Sequence, residues 1–562
     1  SAPLQAAYTP GVYTAQAVGL NGKITVETAF AADGISSVTV LENIETAGVG
    51  AAALETMAAR IVENQSLAVE TVTGATISSA ALLNAVADCV VQAGGDAEAL
   101  RISQETASGP HAYEYSADVV IVGGGGAGLA AACAATEEGA SVIIVEKVDY
   151  LGGNTLVSGG IYNCADPEGQ SSLEMTDALR QTVEDALSEE PAGEAHRALM
   201  AQVRSDYNAY LASGSAGLFD SAAWHALQTW NGGDKAADLA LVEAFCSQAP
   251  DGLAWLKSMG LNVTKIAQGG GALWQRTHYT EGPLGTSIIN TYTSALAERE
   301  ELASIYYSTT ARELLVDADG RVTGVSAVDK HGNTYTFHSN NAVILATGGF
   351  AANVELRRQY CEGEKWPDLG QNVKSTNLPG ITGDGIFMAQ AVGANLVDMD
   401  QIQLLHTCSP RTGTTWANYY TSGSLIFINK EGKRFVREDG RRDDMSKAII
   451  AQTGSIMYLV QSGDFIPDPA DARTSDGVPL LEAVEMGDWY MADTLEELAG
   501  QIGVPADALV QTVADYNAAC ETGVDKEFGR TLLTMPFTKG PYYAYARTPS
   551  CHHTMGGVQI NG

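Results

Sequence analysis

Residues 117–128 read ADVVIVGGGGAG, six residues suited to a buried strand and then a run of glycines. LAAACAATEEG (129–139) continues as a helix of small residues, and SVIIVE (141–146) is a second apolar strand. Strand, glycine turn, helix and strand make a βαβ unit. Gly123, Gly125 and Gly128 fall in the spacing G-x-G-x-x-G, and Glu146 ends the second strand. Each has a physical task in a dinucleotide site. Gly123 turns the chain, Gly125 lets backbone approach a pyrophosphate, Gly128 allows close helix–strand packing, and Glu146 accepts bonds from ribose hydroxyls. Gly126 and Ala127 at the helix start, where the dipole is positive, and Lys147 beside the acid belong to the same expected site.

Soon after, LGGNTLVSGG (151–160) brings Gly152, Gly153, Asn154, Thr155, Ser158, Gly159 and Gly160 within reach of a second part of a large ligand. Upstream, ITVETAF (24–30) and SVTVLENI (37–44) alternate as half-buried strands do. A helix is expected from about Ala80, with Leu82, Val86 and Val90 on one face and Ser78 or Ser79 as N-cap. These elements predict a small α+β domain over 1–95. The small, polar text of 93–116 makes 96–116 a linker holding one short helical turn. Helix-and-loop text follows to about 295, strand text resumes over 305–328 and 341–350, and mixed α/β text fills 400–548.

A length of 562 residues suggests three or four domains. Against 32 basic residues stand 67 acidic ones, a formal charge of −35. That excess excludes nucleic acid and an anionic membrane surface as ready partners. An anionic substrate would need arginines gathered locally against the global field. No apolar stretch approaches the ~18 residues of a membrane-spanning helix. The chain starts at Ser1 without a leader pattern, so either a leader has been removed or the piece begins there. Eight scattered cysteines form no C-x-x-C pair, which speaks against a zinc ribbon, an iron–sulfur cluster or attached haem. Buried free thiols and no metal are the expectation.

With these stretches, the sequence resembles the soluble fumarate reductase and urocanate reductase flavoproteins, relatives of the succinate dehydrogenase flavoprotein subunit. The resemblance continues through ATGGFAANVE (346–355), STNLPGITGDGI (375–386), INKEGKRFVRED (428–439), RRDDMSKAIIAQTG (441–454) and HHTMGGVQI (552–560), covering roughly 117 to 562. It implies an α/β fold with a Rossmann-like FAD-binding domain over 117–398, resumed at 549–562. Inserted at 399–548 would be an α+β clamp domain that closes over the isoalloxazine. Non-covalent FAD would touch both glycine stretches and also Ala346, Thr347, Gly348, Gly349 and Asp384. The family continues beyond HHTMGGV with a segment that supplies a second carboxylate-binding arginine. Here that segment is expected to be a separate piece or one outside this sequence, the other reading being a flavin pocket left open.

TVTGATISS (71–79) resembles the attachment motif of the covalent FMN-binding domain found beside some of these reductases. That implies FMN joined by its phosphate to Thr76, at a helix start whose free N–H groups suit a phosphodiester. A plain capping turn is the other reading of the same residues.

In the family an arginine faces the substrate and delivers a proton, and its place in RRDDMS is taken by Arg442. The competing use of that side chain is a surface ion pair with Asp443 or Asp444. Because a free guanidinium hardly deprotonates, a relay must return its proton almost concertedly. The family's relay glutamate and arginine are not matched. WANYYTSGS (416–424) sets Asn418 and Thr421 there, so either Tyr419 or Tyr420 substitutes or solvent reaches Arg442. His553, in CHHTMGG, matches a carboxylate-binding histidine, while His406, in IQLLHTC, lies one residue from another. Trp274, Tyr279, Trp416, Tyr419 and Tyr420 point to a substrate larger than fumarate, an aryl or imidazole acrylate.

The resemblance thus implies FAD-dependent reduction of the C=C bond of a small α,β-unsaturated carboxylate, with the proton from Arg442. Electrons would come through FMN from an external quinol-linked cytochrome or flavoprotein. Two alternatives stand beside it, a ketosteroid-type flavin dehydrogenase and a two-flavin electron carrier without a substrate. Covalent FMN domains of this kind usually face outside the cytoplasm, so an extracytoplasmic setting is expected.

Overall fold

Three antiparallel strands open the chain, β1 (Gly11–Val18), β2 (Lys23–Ala31) and β3 (Gly34–Glu42), with β2 in the middle. Along β2 every second side chain, Ile24, Val26, Thr28 and Phe30, is buried, so this face must be covered. The cover is two helices, α1 (Gly50–Asn64) and α2 (Thr76–Gln92). Ala53, Leu54, Met57 and Ile61 come from one, Leu82, Ala85, Val86 and Val90 from the other. The second helix starts four residues before the sequence suggests, and neither serine caps it. The Ser78 hydroxyl donates to Glu45 and Ser79 Oγ accepts from the Val72 amide at 3.2 Å, so both are committed to tertiary contacts.

A computed structural model describes residues 8–46, 48–72, 75–101, 110–269, 272–282, 285–361, 363, 365–366, 369–370, 373–421 and 423–561. They separate into two units. One comprises Ser1–Ser116, Val145–Asp149 and Tyr307–Gln559, the other Ala117–Ile144, Tyr150–Tyr306 and Ile560–Gly562.

Within the expected linker, α3 (Ala97–Leu100) is the single helical turn, capped by Asp96. Polar text did not prevent a strand from following it: β4 (Ala112–Val122) begins five residues before ADVVIV. Its early part is held by aromatic stacking, Tyr113 on Tyr335 at 5.2 Å and Tyr115 on Phe337 at 6.1 Å.

In the second unit the later half of β4, then α4 (Gly126–Glu137), then β5 (Val142–Val145) follow as the βαβ reading requires, with the strand Ala303–Tyr306 beyond β5. Small residues let α4 pack tightly on the helix Thr286–Ala297, where Cys133 Sγ reaches Tyr292 O at 3.5 Å. Four further helices, Asp177–Ser188, Glu194–Ser213, Ala222–Gly232 and Leu239–Ser258, enclose a core that includes Trp224 and Trp274.

The hub of the first unit is the long strand Tyr542–Thr554, which pairs with Ile402–Cys408, Met457–Gln461, Tyr490–Ala492 and Lys374–Ser375. The helix Arg442–Ile450 packs on Ile402–Cys408. All eight cysteines are free and seven are buried. Burial pushes the Cys133 thiol up to about 11 and Cys164, Cys361 and Cys408 to about 12. Among the described residues no helix is long and apolar enough to cross a membrane.

Candidate functional site

In the second unit the two glycine stretches meet. Gly125 and Gly152 form a bridge, and Gly152 N donates to Gly124 O at 2.8 Å. Gly123 turns the chain at φ 104°, Gly125 caps α4, and a Cβ on Gly128 would lie 1.9 Å from Gly123 O. That glycine is demanded by the protein's own packing. Gly125 differs, because a Cβ there would meet nothing nearer than Gly152 O at 3.9 Å. The space beside it is open to a ligand, as a backbone that must approach a pyrophosphate requires. Next to it, a Cβ on Gly126 would strike Thr155 Oγ1 at 2.5 Å, with Ala127 following in the helix. Gly153, Asn154 and Thr155 form the short helix α5 (Gly153–Leu156). Ser158 Oγ donates to Thr155 O at 2.8 Å and accepts from Gly160 N at 3.3 Å, folding Gly159 into the same turn. The residues therefore fit a dinucleotide.

The remaining expected FAD residues lie in the first unit. Glu146 is buried and accepts from Val148 N at 2.9 Å. Lys147 Nζ donates to Thr382 at 2.8 Å and to Asp384 at 2.7 Å. Burial pulls the Asp384 carboxyl upward, but hydrogen bonds from Lys147 and Thr382 outweigh it and hold the group below the usual range. After Ala346 and Thr347, the turn at Gly348 (φ 70°) brings Gly349 so near Thr554 that a Cβ would sit 2.0 Å from its Oγ1. The glycine turn is thereby fastened to the HHT segment, with Phe350 N donating to Thr554 Oγ1 at 3.1 Å.

Arg442 opens the helix Arg442–Ile450, and its Nη1 donates to Gln403 Oε1 at 3.2 Å. Neither Asp443 nor Asp444 takes it. Asp443 pairs with Arg441 at 3.4 Å instead, and among the described residues no carboxylate comes within ion-pair distance of Arg442. Gln403 stands opposite His553 in the strand register, and a bulge at this point leaves His552 between Cys551 and His553. The two imidazoles lie 4.3 Å apart, and His552 Nδ1 meets Thr376 Oγ1 at 2.7 Å. His406 is buried on the same strand as Gln403, with its Nδ1 unpartnered among the described residues. Burial, and then Arg442, pushes His406 down to about 3. Burial, His553 and Arg442 push His552 down to about 4, and partial burial and Arg442 lower His553, the most exposed of the three. One cation thus faces three neutral imidazoles.

Sequence reasoning missed Gln403, His552 and Thr376. The doublet in CHHTMGG could have flagged His552, whereas Gln403 needs the strand register.

Tyr420 OH donates to Thr407 Oγ1 at 3.3 Å, next to His406, and the Tyr419 ring lies 5.4 Å from Phe465. Asn418 is taken up by the fold. Its Oδ1 accepts from Arg547 at 2.7 Å and its Nδ2 donates to Thr407 O at 3.1 Å. Trp274 is a core residue of the second unit, where its indole donates to Phe219 O, and Trp416 is buried on Asp488. In the second unit, Lys265 covers the Tyr279 ring at 4.5 Å, and His278 is fully buried on Asp166. Thr76 begins α2, but its side chain, like Thr73 and Gly74, lies outside the described residues.

Comparison with known families matches the FAD binding domain to residues 118–210 and 204–562 and the FMN-binding domain to 19–91. NADH:acrylate oxidoreductase of Vibrio harveyi is 36% identical over 99% of this chain and 56% of its own length. Urocanate reductase of Eggerthella lenta is 33% identical over 98% of this chain and 83% of its own. Among solved structures, the open conformation of a flavocytochrome c3 fumarate reductase aligns with a TM-score of 0.60 at 28% identity, over 79% of this chain and 69% of that one. The chain spans little more than half the length of the acrylate oxidoreductase.

Proposed function

The chain belongs to the flavoprotein family built on this FAD-binding domain, with an FMN-binding domain ahead of it, and on that premise we propose that it reduces the C=C bond of an α,β-unsaturated carboxylate. The observation that carries this reading is Arg442, held by a neutral amide among neutral imidazoles in a chain of charge −35. A guanidinium without a carboxylate keeps its hydrogen-bond fork for an incoming anion. His552 and His553 would hydrogen-bond that carboxylate without adding charge.

When bound at the glycine turns of Gly125 and Gly152, FAD would supply hydride chemistry for the β-carbon, and FMN carried on Thr76 would supply electron-transfer chemistry. The chain's residues must provide the proton at the α-carbon. At pH 7 an imidazole titrating at about 3 to 4 is protonated roughly once in 10³ to 10⁴ molecules, so His406 and His552 are poor acids here. Arg442 is the cation left to donate, and the Tyr420–Thr407 hydroxyl pair, next to His406 in the chain, would refill it. With Trp274 and Trp416 engaged elsewhere, the case for an aryl or imidazole acrylate rests on Tyr419 and Tyr420. Residues 399–548 would act as the clamp that presents Arg442 to the substrate.

Reoxidation of reduced viologen, with acrylate, fumarate, urocanate and cinnamate offered in turn, tests the reading. At least one acid is expected to be reduced. If none is, and a saturated ketone is oxidised instead, the dehydrogenase reading replaces it. Attachment of FMN to Thr76 predicts a flavin-phosphate adduct on the peptide that contains it. An unmodified peptide after exposure to a flavin transferase would reject the attachment.

A further inference from the structure

We infer that Glu45 is the positioning residue for flavin attachment at Thr76, an inference that rests on reading Thr76 as the attachment point. Glu45 is 7% exposed, yet among the described residues no lysine, arginine or histidine pairs with it. A buried carboxylate kept without a cation is costly and asks for a reason. Its Oε1 accepts the Asn21 amide at 2.9 Å, and its Oε2 accepts the Ser78 hydroxyl. Two glycines leave room for it. A Cβ on Gly19 would fall 2.4 Å from Oε1, and one on Gly50 would fall 3.0 Å from Oε2 and 3.1 Å from Ser78 Oγ. Gly50 is the first residue of α1 and Ser78 the third of α2, so the carboxylate lies at the first turn of both helices, whose N-terminal potential offsets its charge. Asn21 Nδ2 closes the arrangement on Ile44 O at 3.2 Å and Thr46 Oγ1 at 3.1 Å.

Attachment to a hydroxyl needs an activated phosphoryl donor. A flavin dinucleotide presented by a separate transferase provides one. The Thr76 oxygen forms a bond to the flavin-bearing phosphorus, the pyrophosphate P–O bond breaks, AMP leaves, and the hydroxyl proton passes to a base of the transferase. No electrons are exchanged. Of the rival hydroxyls close in sequence, Ser78 and Ser79 are at 1% and 0% exposure. Glu45 withholds Ser78 and Val72 engages Ser79. By gripping Ser78, Glu45 also fixes the helical turn that Thr76 opens, two residues earlier.

The test is a time course of flavin incorporation into the full chain with a flavin transferase and FAD, read by intact mass and peptide mapping, with thermal melting of each variant. Wild type is expected to gain one adduct at Thr76. Glu45→Ala should slow incorporation at least tenfold and Ser78→Ala several-fold, while Glu45→Gln, which still bonds both Asn21 and Ser78, stays within about twofold of wild type. A folded Ser78→Ala protein that is flavinylated at the wild-type rate overturns the inference, whatever Glu45→Ala does. Absence of any adduct on wild-type Thr76 overturns the attachment reading itself, and the inference with it.

Discussion

Arg434 and Arg442 stand eight residues apart and are held in opposite ways. Arg434 donates to Glu438 at 2.7 and 2.6 Å and to Asp525 at 2.8 Å, and Arg530 lies 3.5 Å from Glu438. The side chains of this quartet of two cations and two anions are nearly inaccessible, at 0 to 6% exposure. Among the described residues Arg442 has only a neutral amide. Arg547, fully buried, likewise takes no carboxylate among the described residues and donates to Asn418 and to the carbonyls of Trp416 and Ala417. Where charge closes on itself the arginine fastens loops together. Where it is left open, in so acidic a chain, it creates the local positive field an anion needs.

Removing the open cation should have the largest effect. Arg442→Ala is expected to lower turnover with an unsaturated acid by about 10³-fold, within the range of a lost general acid, with an unchanged melting temperature. A two-flavin carrier would instead keep passing electrons from donor to dye. Breaking the closed quartet should do the reverse. Glu438→Ala strands buried guanidinium charge and is expected to cost about 3–5 kcal/mol in urea unfolding, with turnover per folded molecule retained.

The histidines sharpen the comparison through pH. Folded His406 titrates at about 3 and the unfolded residue near 6.5, so below pH 6.5 only the unfolded chain takes up that proton. Stability is therefore lost as pH falls from about 6.5 towards 3. His406→Gln should flatten that limb when unfolding midpoints are compared at pH 7 and 4.5. Arg442→Gln should raise the titration of His552 and His553, followed by NMR, because it removes a cation that lowers both. Smallest is Arg441→Ala. Its exposed pair with Asp443 is worth under about 1 kcal/mol, and turnover should not change.

How much of this could be read in the chain follows from the range of each contact. The glycines at 123, 125 and 128 were legible because their reasons are local, a turn and a helix start. Arg442 was legible through the block around it, but its partner was not. Gln403 reaches it by strand pairing, and a bulge decides how His552 stands between its neighbours. The start of α2 was misplaced because Ser78 and Ser79 look like caps until Glu45, 33 residues before Ser78, is seen to claim one of them. Tyr113 and Tyr115 were read as linker because the rings they stack on, Tyr335 and Phe337, come more than two hundred residues later.

The buried thiols have a practical consequence. A cysteine that titrates at about 11 is thiolate in roughly one molecule in 10⁴ at neutral pH, and even half-exposed Cys520 is shifted upward. Maleimides and mild oxidants should therefore find little to react with in the native protein. A cysteine introduced at Ile77, 55% exposed beside Thr76, would be a nearly unique handle for a fluorophore or spin label that follows the FMN-binding domain during turnover, with no need to strip the natural cysteines first.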